Sequence, residues 1–224
     1  MSEDFVVAID GPAGAGKSTV ARRVAERLKG FRYLDTGAMY RAVTAYLLRF
    51  DKGNASEEEM GRVAEGLVLS DDRLLVHGED VTKEIRSAAV TAEVSRVSAV
   101  PRVRRAVQGK QRGVRGRLVA EGRDIGSVVF PQAAVKVYLD AAIDVRARRR
   151  HLQVPEFTAS EYKEQIERRD RLDSTREDSP LTKPPDAILI DTTNLTIEQV
   201  VAKVEQLVLE RLRRGGRSAA GEKG

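Results

Sequence analysis

The chain of 224 residues contains no cysteine. That excludes a disulfide scaffold and any zinc site built on thiolates, and it fits a reducing, cytoplasmic setting. Tryptophan is also absent, and aromatic residues make up only 4%. A platform for stacking nucleic-acid bases is therefore poorly supplied. No apolar run approaches the roughly 18 residues that a membrane span needs. The first residues include the acidic Glu3 and Asp4 instead of the basic and apolar regions of a signal peptide. The expectation is a protein with no membrane partner. The two histidines, His77 and His151, are isolated from each other and read as structural or surface residues.

Charge is plentiful. Hydrophobic residues are 41% and charged residues 33%, an ordinary balance for one or at most two domains of this length. The formal net charge is +5, carried by 29 Arg and 10 Lys against 34 acidic residues. A basic excess admits nucleic acid as a partner. The planar fork of arginine also suits small phosphates and carboxylates, so small anionic substrates explain the bias equally well.

FVVAID (Phe5–Asp10) is an unbroken apolar run of the kind buried parallel strands show. Helical sequence follows from Lys17 to about Lys29. RYLD (Arg32–Asp35) is a second strand, and the helix after Gly37 reaches about Phe50. RLVAE (Arg117–Glu121), AVKVYLD (134–140) and AILIDT (187–192) read as three more strands, each followed by helical or loop sequence. Strands alternating with helices predict an α/β fold with a doubly wound parallel sheet. Two segments interrupt that rhythm. Residues 56–100 open on a capping box, Ser56 with Glu59, and continue as short antiparallel strands with turns at Asp71-Asp72 and Gly78. Residues 144–178 hold two arginine-rich helices, the second opened by the box Thr158 with Glu161. The expected division is core at 1–55, insert at 56–100, core at 101–143, a further segment at 144–178, core at 179–212, and a tail without order at 213–224.

GPAGAGKST, from Gly11 through Pro12, Ala13, Gly14, Ala15, Gly16, Lys17 and Ser18 to Thr19, fits G-x-x-x-x-G-K-[ST] between a strand and a helix. Backbone amides and the positive end of the helix dipole would surround phosphate oxygens. Lys17 would reach the β- and γ-phosphates of ATP, and Ser18 would ligate Mg²⁺, partly through water. Regulatory GTPases, motor ATPases and small-molecule kinases share this loop. The guanine-selecting N-K-x-D is absent, which argues against a GTPase. Glu121, at the end of an apolar run, could hold a metal-bound water as motor ATPases require, but that signal is weak.

A kinase needs a second anion site. Arg41 lies just past the second predicted strand; Arg123 and Asp124 lie just past the third. Ligands of open α/β sheets gather beyond the carboxyl ends of strands, so all three should border the crevice of the phosphate loop. Arg169, Asp173 and Arg176 are spaced to share one helical face, and Arg146, Arg149 and Arg150 fall near one face as well. A solvated surface is the plainer explanation of either helix, but beside a phosphate loop such cations can close over a migrating phosphoryl group.

AIDGPAGAGKST, YLDTGAMYRA, VSAVPRVRRAVQGKQR, EGRDIGSVVFP, VKVYLDA and DSTREDSPL together resemble the bacterial cytidylate kinases, within the P-loop nucleoside monophosphate kinases. The resemblance covers residues 5 to about 210. It implies a P-loop kinase core with a five-stranded parallel sheet, a monophosphate-binding insert at 56–100 and a helical lid at 144–178. It also implies transfer of the γ-phosphate of ATP, with Mg²⁺, to CMP or dCMP. Arg41, Arg123 and Arg176 match the grip on the acceptor phosphate. Ser95, Arg104 and Asp124 match the cytosine-recognising positions, and Arg169 and Asp173 those near the ribose. Thr36 stands where many members have Ser, and with Tyr40 it counts among the substrate-binding residues. Lys17, Arg123, Arg149 and Arg176 are the implied catalytic cations. A kinase for UMP or dTMP, and a nucleic-acid-binding ATPase, are the alternatives. The partners expected are ATP, CMP and dCMP, with no nucleic acid, for a cytoplasmic monomer.

Overall fold

The computed structural model describes residues 4–70 and 73–221. Glu3, the turn expected at Asp71-Asp72 and the last three residues lie outside the described residues. In chain order the elements are β1 (Phe5–Asp10), α1 (Lys17–Arg27), β2 (Arg32–Asp35), α2 (Thr36–Arg49), α3 (Glu57–Glu65), β3 (Leu67–Ser70), β4 (Arg73–Val76) and β5 (Glu79–Asp80). There follow α4 (Ala88–Ala99), α5 (Pro101–Arg112), β6 (Arg117–Glu121), β7 (Val135–Asp140), α6 (Ile143–Gln153), α7 (Ala159–Thr175), β8 (Ile188–Asp191) and α8 (Ile197–Gly221). Within the described residues, contacts group 4–34, 116–171 and 181–221 in one compact unit, and 35–115 with 172–180 in another. These boundaries differ from the sequence-based cuts at 56, 101, 144 and 179. One reason is that α2 packs on α3, α4 and β4 and so belongs with the insert.

The first unit carries a five-stranded parallel sheet in the order β2-β6-β1-β7-β8, as the alternation of strands and helices predicts. The central pairing sets Val7 opposite Val119 on one side and Val135 on the other. Val7, Ile9, Val119, Val137 and Leu139 pack with Val20 and Val24 of α1 and with Val200, Val204 and Val208 of α8. Positions 200, 204 and 208 recur every four residues, so one stripe of α8 is buried. Fully burying each such side chain is worth about 1.5–3 kcal/mol. The helix α8 extends through Gly221, into the tail expected to lack order.

The second unit holds a three-stranded antiparallel sheet, β3-β4-β5, with Leu67 opposite Val76 and Leu75 opposite Asp80. Asp35 caps α2 by accepting from the Ala38 amide at 2.9 Å, so the helix begins at Thr36, earlier than Gly37. Ser56 caps α3 through the Glu59 amide, but the Glu59 carboxylate pairs with Lys52 at 2.9 Å. Nearly continuous helical sequence from 88 to 112 is cut at Val100, whose ψ of 119° is extended. The ring of Pro101 disfavours the helical conformation for its predecessor, and proline starts α5 without wasting an amide.

Candidate active site

Gly11, at the turn out of β1, has φ 145°, and a Cβ there would stand 2.0 Å from the Leu139 carbonyl oxygen. No side chain fits against the β7 backbone. Gly16 sits at the cap of α1 with φ 90°, and no acidic residue occupies the first turn of that helix. The positive end of the α1 dipole is left for an anion. Lys17 is buried, and its Nζ donates to the Pro12 carbonyl at 2.8 Å. Burial lowers its pKa to about 7; Arg123 and Arg169 push the same way, against Glu121 and Asp10.

Ser18 Oγ donates to Glu121 Oε1 at 2.7 Å, and Tyr33 Oη reaches the same oxygen at 3.4 Å. A hydroxyl beside a buried carboxylate fits a hard cation such as Mg²⁺, which takes few protein ligands and completes its shell with phosphate oxygens and water. Thr19 is half-buried in the first turn of α1.

Arg123 and Asp124 follow β6. The next segment, Ile125–Val129, forms one wide turn closed by the Val129 amide on the Asp124 carbonyl at 3.0 Å. Asp10, the last residue of β1, holds this turn: its carboxylate accepts from the Ile125 amide at 2.8 Å and the Gly126 amide at 2.7 Å. Burial pushes the Asp10 carboxyl up to about 6, with Asp124 adding to it, while the two amides and Lys17 oppose. In the sequence, Asp10 is marked only as an acid closing an apolar strand just before the glycine loop.

The arginines of α6 go three ways, so their shared helical face is not a shared site. Arg146 is buried, with Nε on the Ala141 carbonyl at 2.9 Å and Nη1 on the Ala13 carbonyl at 3.0 Å. Arg149 donates to the Thr192 hydroxyl at 2.9 Å and to the Thr192 carbonyl at 2.7 Å. Arg150 lies over the Tyr162 ring. The Thr158–Glu161 box is complete in both directions. His151 meets the Phe157 carbonyl, and His77 lies tilted against the Tyr46 ring, with centroids 5.5 Å apart.

In the second unit, α2, α4, α5 and residues 172–180 bring a different set together. Arg41 donates to Thr91 Oγ1 at 3.0 Å. Arg104 is 1% exposed, donates to the Ser98 carbonyl at 3.1 Å, and lies over the Tyr40 ring, 3.8 Å from Asp178. Thr91 meets Arg41 through its hydroxyl and Ser98 meets Arg104 through its carbonyl, while the Ser95 carbonyl accepts from the Ser98 hydroxyl at 3.3 Å. Thr36 is buried, and its carbonyl is approached by Gln111 at 3.4 Å. Asp173 is 3.7 Å from Arg176, whose Nε donates to the Ser179 carbonyl at 2.6 Å. Arg176 lies beyond the end of α7 at Thr175, so it is not on the helical face expected for it. Arg169 groups with the first unit and Asp173 with the second. Gln108, Asp178 and Ser179 join this set through surroundings the sequence does not display: Gln108 donates to Ser179 Oγ at 2.9 Å, from 71 residues away.

A parallel sheet with a phosphate loop after its first strand defines a P-loop nucleotide-binding fold. The sequence model of the family described as "Cytidylate kinase" matches residues 7–210. Proteins of that name from Mycolicibacterium paratuberculosis (48% identical, over 94% of this chain and 98% of theirs) and from Caldanaerobacter subterraneus (48%, over 90% and 93%) are similar along nearly their whole length. A solved shikimate kinase from Bacteroides thetaiotaomicron aligns over 91% of this chain and 98% of its own at 13% identity and a TM-score of 0.46. The chain belongs to the cytidylate kinase family, and it is a nucleoside monophosphate phosphotransferase.

Proposed function

We propose that this enzyme transfers the γ-phosphate of ATP, bound with Mg²⁺, to CMP or dCMP, giving ADP and CDP or dCDP. The observation that carries the reading is a phosphate loop with a buried lysine, neighboured by Arg123 and Arg169, in a chain of this family. Gly11 to Thr19 hold the triphosphate, and Lys17 neutralises charge at the β- and γ-phosphates. Ser18 would hold Mg²⁺, with the Glu121 carboxylate beside it, and the metal would supply charge neutralisation of the triphosphate. Arg41, Arg123 and Arg176 grip the acceptor phosphate. Ser95, Arg104 and Asp124 read the base, Arg169 and Asp173 the ribose, and Arg149 adds charge near the donor. Thr36 and Tyr40 line the acceptor.

No general base is required, because the attacking phosphate oxygen is already anionic near neutral pH. The protein therefore contributes alignment and charge neutralisation. The test is ADP release with MgATP across CMP, dCMP, UMP and dTMP. The expected result is efficient turnover with CMP and dCMP and weak turnover with the other two. Preference for UMP or dTMP, or stimulation by an oligonucleotide alone, would overturn the reading.

A further inference from the structure

The phosphate loop is held from outside by two charged residues that the roles above leave unused. Asp170, on α7, accepts from the Ala13 amide at 3.0 Å through Oδ1. Its Oδ2 pairs with Arg146, on α6. The same Arg146 donates to the Ala13 carbonyl at 3.0 Å and is anchored by Nε on the Ala141 carbonyl at 2.9 Å. Both polar groups of one loop residue are thus taken by side chains of the two lid helices. The Ala13 methyl packs with Ala147, Tyr162 and Ile166 of those helices.

We infer that Asp170 and Arg146 form a positioning pair that fixes the tip of the phosphate loop and, through α7, the placement of Arg169 near Lys17. The inference rests on the phosphate-loop reading of the site. Arg169 is the residue before Asp170, and its charge is felt at Lys17. Holding Asp170 on the loop therefore holds a second cation close to where phosphoryl charge develops. An ion pair spent on a loop carbonyl and amide is also a costly way to gain stability alone, since well-packed apolar residues often do as well. The arrangement is explained by geometry that the reaction needs.

The experiment uses the full chain in three forms: wild type, Asp170→Asn, and the double variant Arg146→Met with Asp170→Leu. The single variant leaves a buried guanidinium without its carboxylate and can lose stability. The double variant removes both charges, keeps packing volume, and cannot hold the Ala13 peptide. Melting curves establish which forms are folded. Isothermal titration of MgADP establishes that the loop still binds nucleotide, and a wild type that fails to bind would sink the phosphate-loop reading itself.

For folded variants the expected kcat falls by about a hundredfold, as misplacement by an ångström typically does, while the KM for the acceptor changes by less than about threefold. Wild-type kcat in the folded double variant would overturn the inference, as would a rise of the acceptor KM in step with the fall in kcat; a fall in kcat at nearly unchanged KM supports it.

Discussion

Lys17 is one residue asked to be both buried and charged. Burial and the guanidiniums of Arg123 and Arg169 work against its proton, and the carboxylates of Glu121 and Asp10 do not fully offset them. In the proposed reaction a triphosphate supplies the missing negative charge. Lys17→Ala should lower kcat by about 10²–10³, the range seen when one preorganised charge at a developing anion is lost, with the fold intact by circular dichroism. Turnover near wild type would remove the loop from the mechanism. Asp124 tests base choice. Cytosine offers an amino donor where uracil offers an oxygen, and a carboxylate accepts from the first only. Asp124→Asn keeps the shape but can turn an amide N–H toward uracil. The CMP-over-UMP ratio of kcat/KM should shrink by at least about tenfold, which is about 1.4 kcal/mol. An unchanged ratio with activity retained would assign the base reading elsewhere.

Among the elements, α2 shows how a cap serves a site. Asp35 accepts the Ala38 amide through Oδ1 and pairs with Arg86 at 3.0 Å through Oδ2. The helix it starts carries Thr36, Tyr40 and Arg41 in its first turns. Asp35→Ala should cost about 1 kcal/mol for the lost cap, or a melting temperature lower by about 2–4 °C. The exposed pair with Arg86 adds little. Fraying of that turn should raise the KM for CMP by about threefold or more while leaving the KM for ATP alone, since none of the three residues belongs to the phosphate loop. Equal changes in both constants would count against the placement of the acceptor on α2.

For the molecule as a whole, two buried groups make stability depend on pH in opposite directions. The folded-state pKa of Asp10, about 6, lies above its ordinary 3.8, so its contribution is full below 3.8 and is lost as pH rises through about 6. That of Lys17, about 7, lies below its ordinary 10.5, so its contribution is present above 10.5 and is lost as pH falls through about 7. Between those values both groups are charged and buried, and urea unfolding should be easiest there. In Asp10→Asn the loss of stability between about pH 4 and 6 should vanish, and a wild-type slope surviving in the variant would assign it to other groups. The sequence alone carried the chain of strands and helices, the phosphate loop and the family motifs, because periodicity, glycine and capping chemistry act over a few neighbouring residues. It also brought Arg41, Arg104 and Arg176 forward as candidates, by residue type and resemblance. It did not carry the grouping of α2 with the insert, the three separate directions of Arg146, Arg149 and Arg150, or the end of α7 before Arg176. Nor did it show Asp10 on the Ile125–Val129 turn or Asp170 on Ala13, separated by 115 and 157 residues. Those are contacts between charges and backbone groups far apart in the chain. Burial decides them, because only a folded interior removes the water that would otherwise satisfy each group where it stands.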